Sequence, residues 1–141
     1  MPHIMIVQSP YYADIAENLR VGAVQALEEI GYTYETFDVA GALEIPAAIS
    51  IGAQNGKFHA YLALGCVIRG ETSHYDIVSN ESARGLNDLA LEKGLLIGNA
   101  ILTCDTMQQA QERADPARKN KGADAVKAIV SLIDLREKLI K

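Results

Sequence analysis

The sequence predicts an α/β protein in which helices cover both faces of a four-stranded parallel sheet. Three observations point there. Four apolar, β-rich runs alternate strictly with segments of helical periodicity. One of these runs, "HAYLALGCVI" at 59–68, is nearly continuous in apolar character, as a strand covered on both faces should be. The chain of 141 residues is long enough to bury a real core and shows no internal repeat, so residues 1–141 are expected to form a single domain.

The elements follow in order. "HIMIVQS" (3–9) is the first strand, and a helix over about 14–30 follows until Gly31 stops it. "YTYETFDV" (32–39) is the second strand. After the turn "AGALEIP" a helix runs to about residue 54, with Pro46 in its first turn, where a missing N–H costs nothing. The third strand, 59–68, leads into a helix over about 73–93 that ends at Gly94. "LLIGNAILTC" (95–104) is the fourth strand, followed by a short helix over 106–114 and a longer one over 123–141. Only "DPARKNKG" (115–122) lacks a pattern. Such an order implies right-handed crossovers and a three-layer α/β/α sandwich of flavodoxin-like type.

Composition narrows the function. The formal net charge of −5 argues against a nucleic-acid face, and the basic cluster "RKNK" (118–121) is too short to reverse it. No apolar run is long enough to span a membrane, and no basic start precedes an apolar segment, so neither a span nor a signal peptide is expected. Cys66 and Cys104 each lie inside an apolar run without a second Cys or His at metal-ligand spacing. They read as buried free thiols, with the cytoplasm as the expected compartment.

In such sheets ligands bind at the carboxyl ends of the strands, where the strand order switches. Three loops bring chemistry to that edge: "SPYYAD" with Tyr11 and Tyr12, "GALE" with Glu44, and "RGETSH" with Glu71, Thr72 and His74. An imidazole there is suited to proton transfer, although a helix-start residue bonding to backbone fits the spacing equally. The tyrosines offer a stacking surface or are surface residues beside a turn. Glu44 can accept hydrogen bonds from ligand hydroxyls or stabilise the helix start beside Pro46. Arg113 and Lys121, eight residues apart, suit an anion or are solvated charges. On the last helix Val126, Ile129, Val130 and Ile133 form one apolar stripe, and Leu132, Leu135 and Leu139 a second. One stripe can cover the sheet. The other is expected at a subunit interface.

"GALEIP" (41–46), "GCVIRGETSHYDIV" (65–78), "GNAILTCDT" (98–106) with "QQAQERA" (108–114), and "NKGADA" (120–125) occur in the order and spacing of one family. In these segments the chain resembles the lumazine synthases, the 6,7-dimethyl-8-ribityllumazine synthases of riboflavin biosynthesis, over residues 4–139. The resemblance implies a penultimate pathway step that joins 5-amino-6-(D-ribitylamino)uracil to 3,4-dihydroxy-2-butanone 4-phosphate. It implies no metal or organic cofactor, since every step is addition, elimination or proton transfer.

The resemblance also implies roles. Tyr11 would stack on the pyrimidine, and Ala42, Leu43 and Glu44 would hold the ribityl chain and ring. The backbone at Cys66, Val67 and Ile68 would read the uracil edge. Glu71 and Thr72 belong to the phosphate-substrate loop, His74 is the proton-transfer group, Arg113 binds phosphate and Lys121 lies near the same pocket. Asn99 matches a further pyrimidine contact, yet at about 3.3 Å per residue it stands roughly 16 Å from its own strand's carboxyl end. The family places it and the arginine in a neighbour's site, so the resemblance implies a homopentamer with shared sites, and riboflavin synthase as a further partner.

The chain departs from the family at Tyr12, where asparagine is usual, at Leu43, where an aromatic is usual, and at Asn99, where phenylalanine is frequent. It starts close to its first strand, and Pro116 replaces flexible glycine in the loop where shell-forming members meet, so a free pentamer is expected over a sixty-chain shell. The rival is a non-catalytic ligand carrier or assembly protein of the same fold. The joint presence of His74, Arg113 and Lys121 speaks against it.

Overall fold

The computed structural model describes residues 1–140. Four strands, β1 (His3–Gln8), β2 (Thr33–Asp38), β3 (Ala60–Ile68) and β4 (Ile97–Cys104), form one all-parallel sheet in the order β2-β1-β3-β4. The helices are α1 (Ala13–Glu29), α2 (Ile45–Ala53), α3 (His74–Lys93), α4 (Met107–Ala114) and α5 (Lys121–Leu139). The three-layer sandwich expected from the alternation is the observed fold.

Side-chain alternation along the strands splits the core in two. Ile4, Ile6, Leu62, Leu64, Ala100 and Leu102 meet α1, α4 and α5 on one face. Met5, Val7, Tyr61, Ala63 and Ile101 meet α2 and α3 on the other. β3 lies between two strands under both layers and is buried from Ala60 to Val67, which is why its sequence is almost unbroken in apolar character. β2 is an edge strand and is correspondingly polar.

The helix punctuation matches the expected chemistry. Gly31 (φ 77°) and Gly94 (φ 67°) take the left-handed conformation that ends α1 and α3, and Pro46 sits in the first turn of α2. α4 starts with a capping box in which Thr106 and Gln109 satisfy each other's backbone N–H groups.

Two details differ from the pattern. The segment before α2 tightens into a 3-10 turn over Ala42–Glu44, whose Glu44 amide donates to the Gly41 carbonyl at 3.1 Å. α5 starts at Lys121 rather than 123, because Asn120 adopts φ 49°, ψ 54° and reverses the chain directly into the helix. At its far end Ile140 is already extended, and the expected helical residue 141 lies outside the described residues.

The two apolar stripes of α5 separate as expected. Val126, Ile129 and Ile133 are buried against the sheet and Val130 is partly buried beside them, whereas Leu132, Leu135 and Leu139 are 36%, 51% and 73% exposed. No helix among the described residues is long and apolar enough to cross a membrane.

Both cysteines are free and buried. Burial first, and the neighbouring Cys104 second, push the Cys66 thiol up to about 12 from 9.0. Below the ordinary value both folded and unfolded chains keep this proton, so the group does not oppose folding there. Between about 9 and about 12 the unfolded chain ionises first, and stability falls as pH rises. Urea midpoints of the native chain should therefore drop more between about pH 8 and about pH 11 than those of Cys66→Ala. Equal drops would remove Cys66 from the alkaline sensitivity.

Candidate active site

β1 and β3 are paired only as far as Gln8 and Leu64. The Ser9 amide donates to the Leu64 carbonyl at 3.0 Å, and beyond that point β3 continues alone on this side to Ile68. Backbone groups alternate sides along a strand. Leu64 faces β1, so the N–H and C=O groups of Cys66 and Ile68 face the gap where β1 has ended. This is the point where strand order reverses, with β2 on one side of β1 and β3 on the other.

A cavity of about 440 Å³ opens there. Tyr11 and Tyr12 form one wall from the start of α1, their rings edge to face at 4.9 Å between centroids. Ala42, Leu43 and Glu44, the 3-10 turn, form the second. Cys66, Val67 and Ile68 form the floor at the end of β3, and His74 and Val78, the exposed first residue and the next turn of α3, close it. Ser9 is a buried hydroxyl beneath this site, and its Oγ donates to the Ala40 carbonyl at 3.4 Å. Burial, reinforced by Cys66 and Tyr11, raises the pKa of the Tyr12 phenol above its ordinary value.

Thus Tyr11, Ala42, Leu43, Glu44, Cys66, Val67, Ile68 and His74 converge on one cavity. Glu71 and Thr72 do not line the cavity; they occupy the exposed loop between Ile68 and His74, and Thr72 Oγ1 accepts the His74 amide at 3.3 Å. The loop's hydroxyl therefore helps fix the start of α3.

The remaining residues are not brought to this cavity. Asn99 lines a separate groove of about 430 Å³ with Arg69, Tyr75, Ser79, Ile101 and Thr103, and the two spaces share no lining residue. Its Oδ1 accepts the Ile101 amide at 2.8 Å, which occupies a donor on the free edge of β4. Arg113 stands half-buried on α4, where its Nη1 donates to the Gln109 carbonyl at 3.1 Å. It lies close enough to Cys104 to oppose the rise that burial imposes on that thiol. Lys121 is exposed at the start of α5 and pairs with Asp124 at 3.4 Å. The two cations thus stand on α4 and α5, outside the lining of this cavity.

Sequence reasoning left out Ser9, Ala40, Gly41 and Val78, and it did not commit Tyr12 to the site. Val78 carried a signal, being one helical turn beyond His74 and hence on the same face. Ser9 carried little, because a serine at a strand end is common.

The similarity to known proteins covers nearly the whole chain. Residues 2–137 match the model of the 6,7-dimethyl-8-ribityllumazine synthase family. A 6,7-dimethyl-8-ribityllumazine synthase of Sphingopyxis alaskensis is 50% identical over 137 residues, covering 97% of this chain and 96% of the relative. That of Zymomonas mobilis is 50% identical over 139 residues, with 99% of each chain covered. That of Agrobacterium fabrum is also 50% identical, with 98% of this chain and 97% of the relative covered. With the expected motifs, the parallel sandwich and the cavity at its switch point in agreement, the chain belongs to the 6,7-dimethyl-8-ribityllumazine synthase family.

Proposed function

We propose that this chain acts as a 6,7-dimethyl-8-ribityllumazine synthase through the cavity between β1 and β3. The observation that carries the reading is the convergence of Tyr11, Ala42–Glu44, Cys66–Ile68 and His74 on that one space. The amine of 5-amino-6-(D-ribitylamino)uracil attacks the ketone of 3,4-dihydroxy-2-butanone 4-phosphate, and water leaves as the imine forms. Phosphate is then eliminated, the enol this leaves tautomerises to a ketone, the ribitylamino nitrogen closes the ring on that new carbonyl, and a second water leaves.

Each residue has a physical task. Tyr11, three-quarters exposed at the cavity mouth, stacks on the pyrimidine, and the free backbone groups of Cys66 and Ile68 pair with its edge. Glu44 accepts hydrogen bonds from the ribityl hydroxyls, with Ala42 and Leu43 shaping the channel beside it. His74 moves protons during addition and elimination. The raised thiol pKa of Cys66 keeps it a neutral wall rather than a competing nucleophile. Glu71 and Thr72 hold the phosphate substrate from the loop before α3.

Asn99, Arg113 and Lys121 complete the cavity of a neighbouring copy. Their absence from the lining of this chain's own cavity supports that arrangement, and so does the exposed stripe Leu132, Leu135 and Leu139. Arg113 would fork onto the phosphate, with Lys121 adding charge nearby. The assembly is a free pentamer of single-domain chains. The loop around Pro116 is held stiffly, since the Asp115 carbonyl accepts from Arg118 at 3.0 Å and from Asn120 at 3.1 Å, and its carboxylate from Ala117 at 2.8 Å. A stiff loop is poorly suited to the inter-pentamer contact of a shell. The buried free thiols fit a reducing cytoplasm, and riboflavin synthase is the partner that would consume the product.

Mixing both substrates with the purified protein and following lumazine absorbance tests the activity. A non-catalytic carrier would bind ligand without producing that signal. His74→Ala is expected to lower kcat by up to about 10²–10⁴-fold while leaving both KM values nearly unchanged, because alignment of the reactants survives the loss. An unchanged kcat removes His74 from its role.

Sedimentation at neutral pH is expected to give a mass near that of five chains. A mass near sixty chains defeats the free pentamer, and an active monomer defeats the shared site.

A further inference from the structure

Arg69 is the first residue after β3, and its surroundings join three parts of the fold. Its amide donates to the Cys104 carbonyl at 2.9 Å, continuing the β3–β4 pairing past the strand end. Its Nε donates to Asp105 Oδ1 at 3.1 Å, beyond the end of β4. Its Nη1 reaches Asp76 Oδ1 at 3.5 Å, and the guanidinium lies 4.3 Å from the Tyr75 ring centroid. Tyr75 and Asp76 directly follow His74 in the first turn of α3.

Besides the Thr72 hydroxyl that accepts the His74 amide and the partial packing of Tyr75 against the core, little else among the described residues fastens that turn. Ser73 provides no side-chain cap, the loop before it is exposed, and the first buried residue of α3 is Val78. We propose that Arg69 is a positioning residue, fixing the first turn of α3, and with it His74, against the carboxyl ends of β3 and β4. The inference rests on the acid/base reading of His74.

The ion pairs are exposed, at 48% for Arg69, 54% for Asp76 and 65% for Asp105, so they add little to overall stability. Their effect lies in local geometry. A fork that engages two carboxylates while stacking on an aromatic face restricts direction as well as distance.

A double-mutant cycle on the condensation tests this, with Arg69→Ala and His74→Ala made singly and together. Arg69→Ala is expected to lower kcat by roughly 10- to 100-fold, with both KM values moving by less than about threefold. In the His74→Ala background the same change should alter kcat by less than about twofold, because the group being positioned is gone. Arg69→Lys, which can reach one carboxylate but not fork onto two, should recover part of the rate. Asp105→Asn keeps Arg69 and weakens one arm; it should give a smaller loss with the same dependence on His74, and it serves if Arg69→Ala does not fold.

Losses that multiply in the double variant overturn the proposal. So does a dominant rise in KM for the phosphate substrate, which would make Arg69 a ligand of that substrate. An unchanged kcat in His74→Ala alone overturns the acid/base reading and the positioning role with it. A loss in His74→Ala without one in Arg69→Ala or Asp105→Asn sinks the positioning role only.

Discussion

The hydrogen bond from the Ser9 amide to the Leu64 carbonyl marks where the two central strands part, and the cavity depends on that parting. From there the chain leaves β1 into α1 on one face of the sheet, while the segment after β2 enters α2 on the other face. β3 carries on to Ile68 with the backbone of Cys66 and Ile68 turned to a gap that no strand fills. Right-handed crossovers on both sides of the same strand make this gap unavoidable. The residues around it need only be of the right type: flat at Tyr11, acidic at Glu44, basic at His74.

The chain's charges are distributed in a way that one copy does not reconcile. The cavity has an acid and an imidazole, but the arginine and lysine suited to a phosphate stand on α4 and α5, outside its lining. An anionic substrate in an isolated chain would face Glu44 with neither cation in the lining around it. A second copy that covers Leu132, Leu135 and Leu139 would remove apolar surface from water and supply those cations together. Burial and catalysis then have one common cause.

The legible part of this protein was the part governed by local rules. Strand periodicity, glycine stops at 31 and 94 and the proline of α2 gave the elements nearly residue by residue. Residues at the carboxyl ends of strands were legible as site candidates because topology alone brings those ends together. The expected start of α5 lies two residues late, since Gly122 has weak helix propensity and nothing in the sequence announces the left-handed Asn120. Arg69 was invisible as a functional group. Its partner Asp105 is 36 positions away, and only the pairing of β3 with β4 makes them neighbours. Asn99 shows the limit from the other side, for its bond to the edge of β4 is a local structural task that a motif match does not reveal.

The claim that each site is divided between copies is tested most directly by subunit complementation. His74→Ala and Arg113→Ala chains are unfolded, mixed in equal amounts and reassembled, then assayed at low concentration of the phosphate substrate. Half of the chains keep His74 and half keep Arg113, so random assembly gives both groups at about a quarter of the interfaces. Activity near a quarter of the native level, well above either variant alone, is the result a divided site predicts. Activity no greater than the mean of the two variants would mean that His74 and Arg113 serve the same chain, and would contradict it.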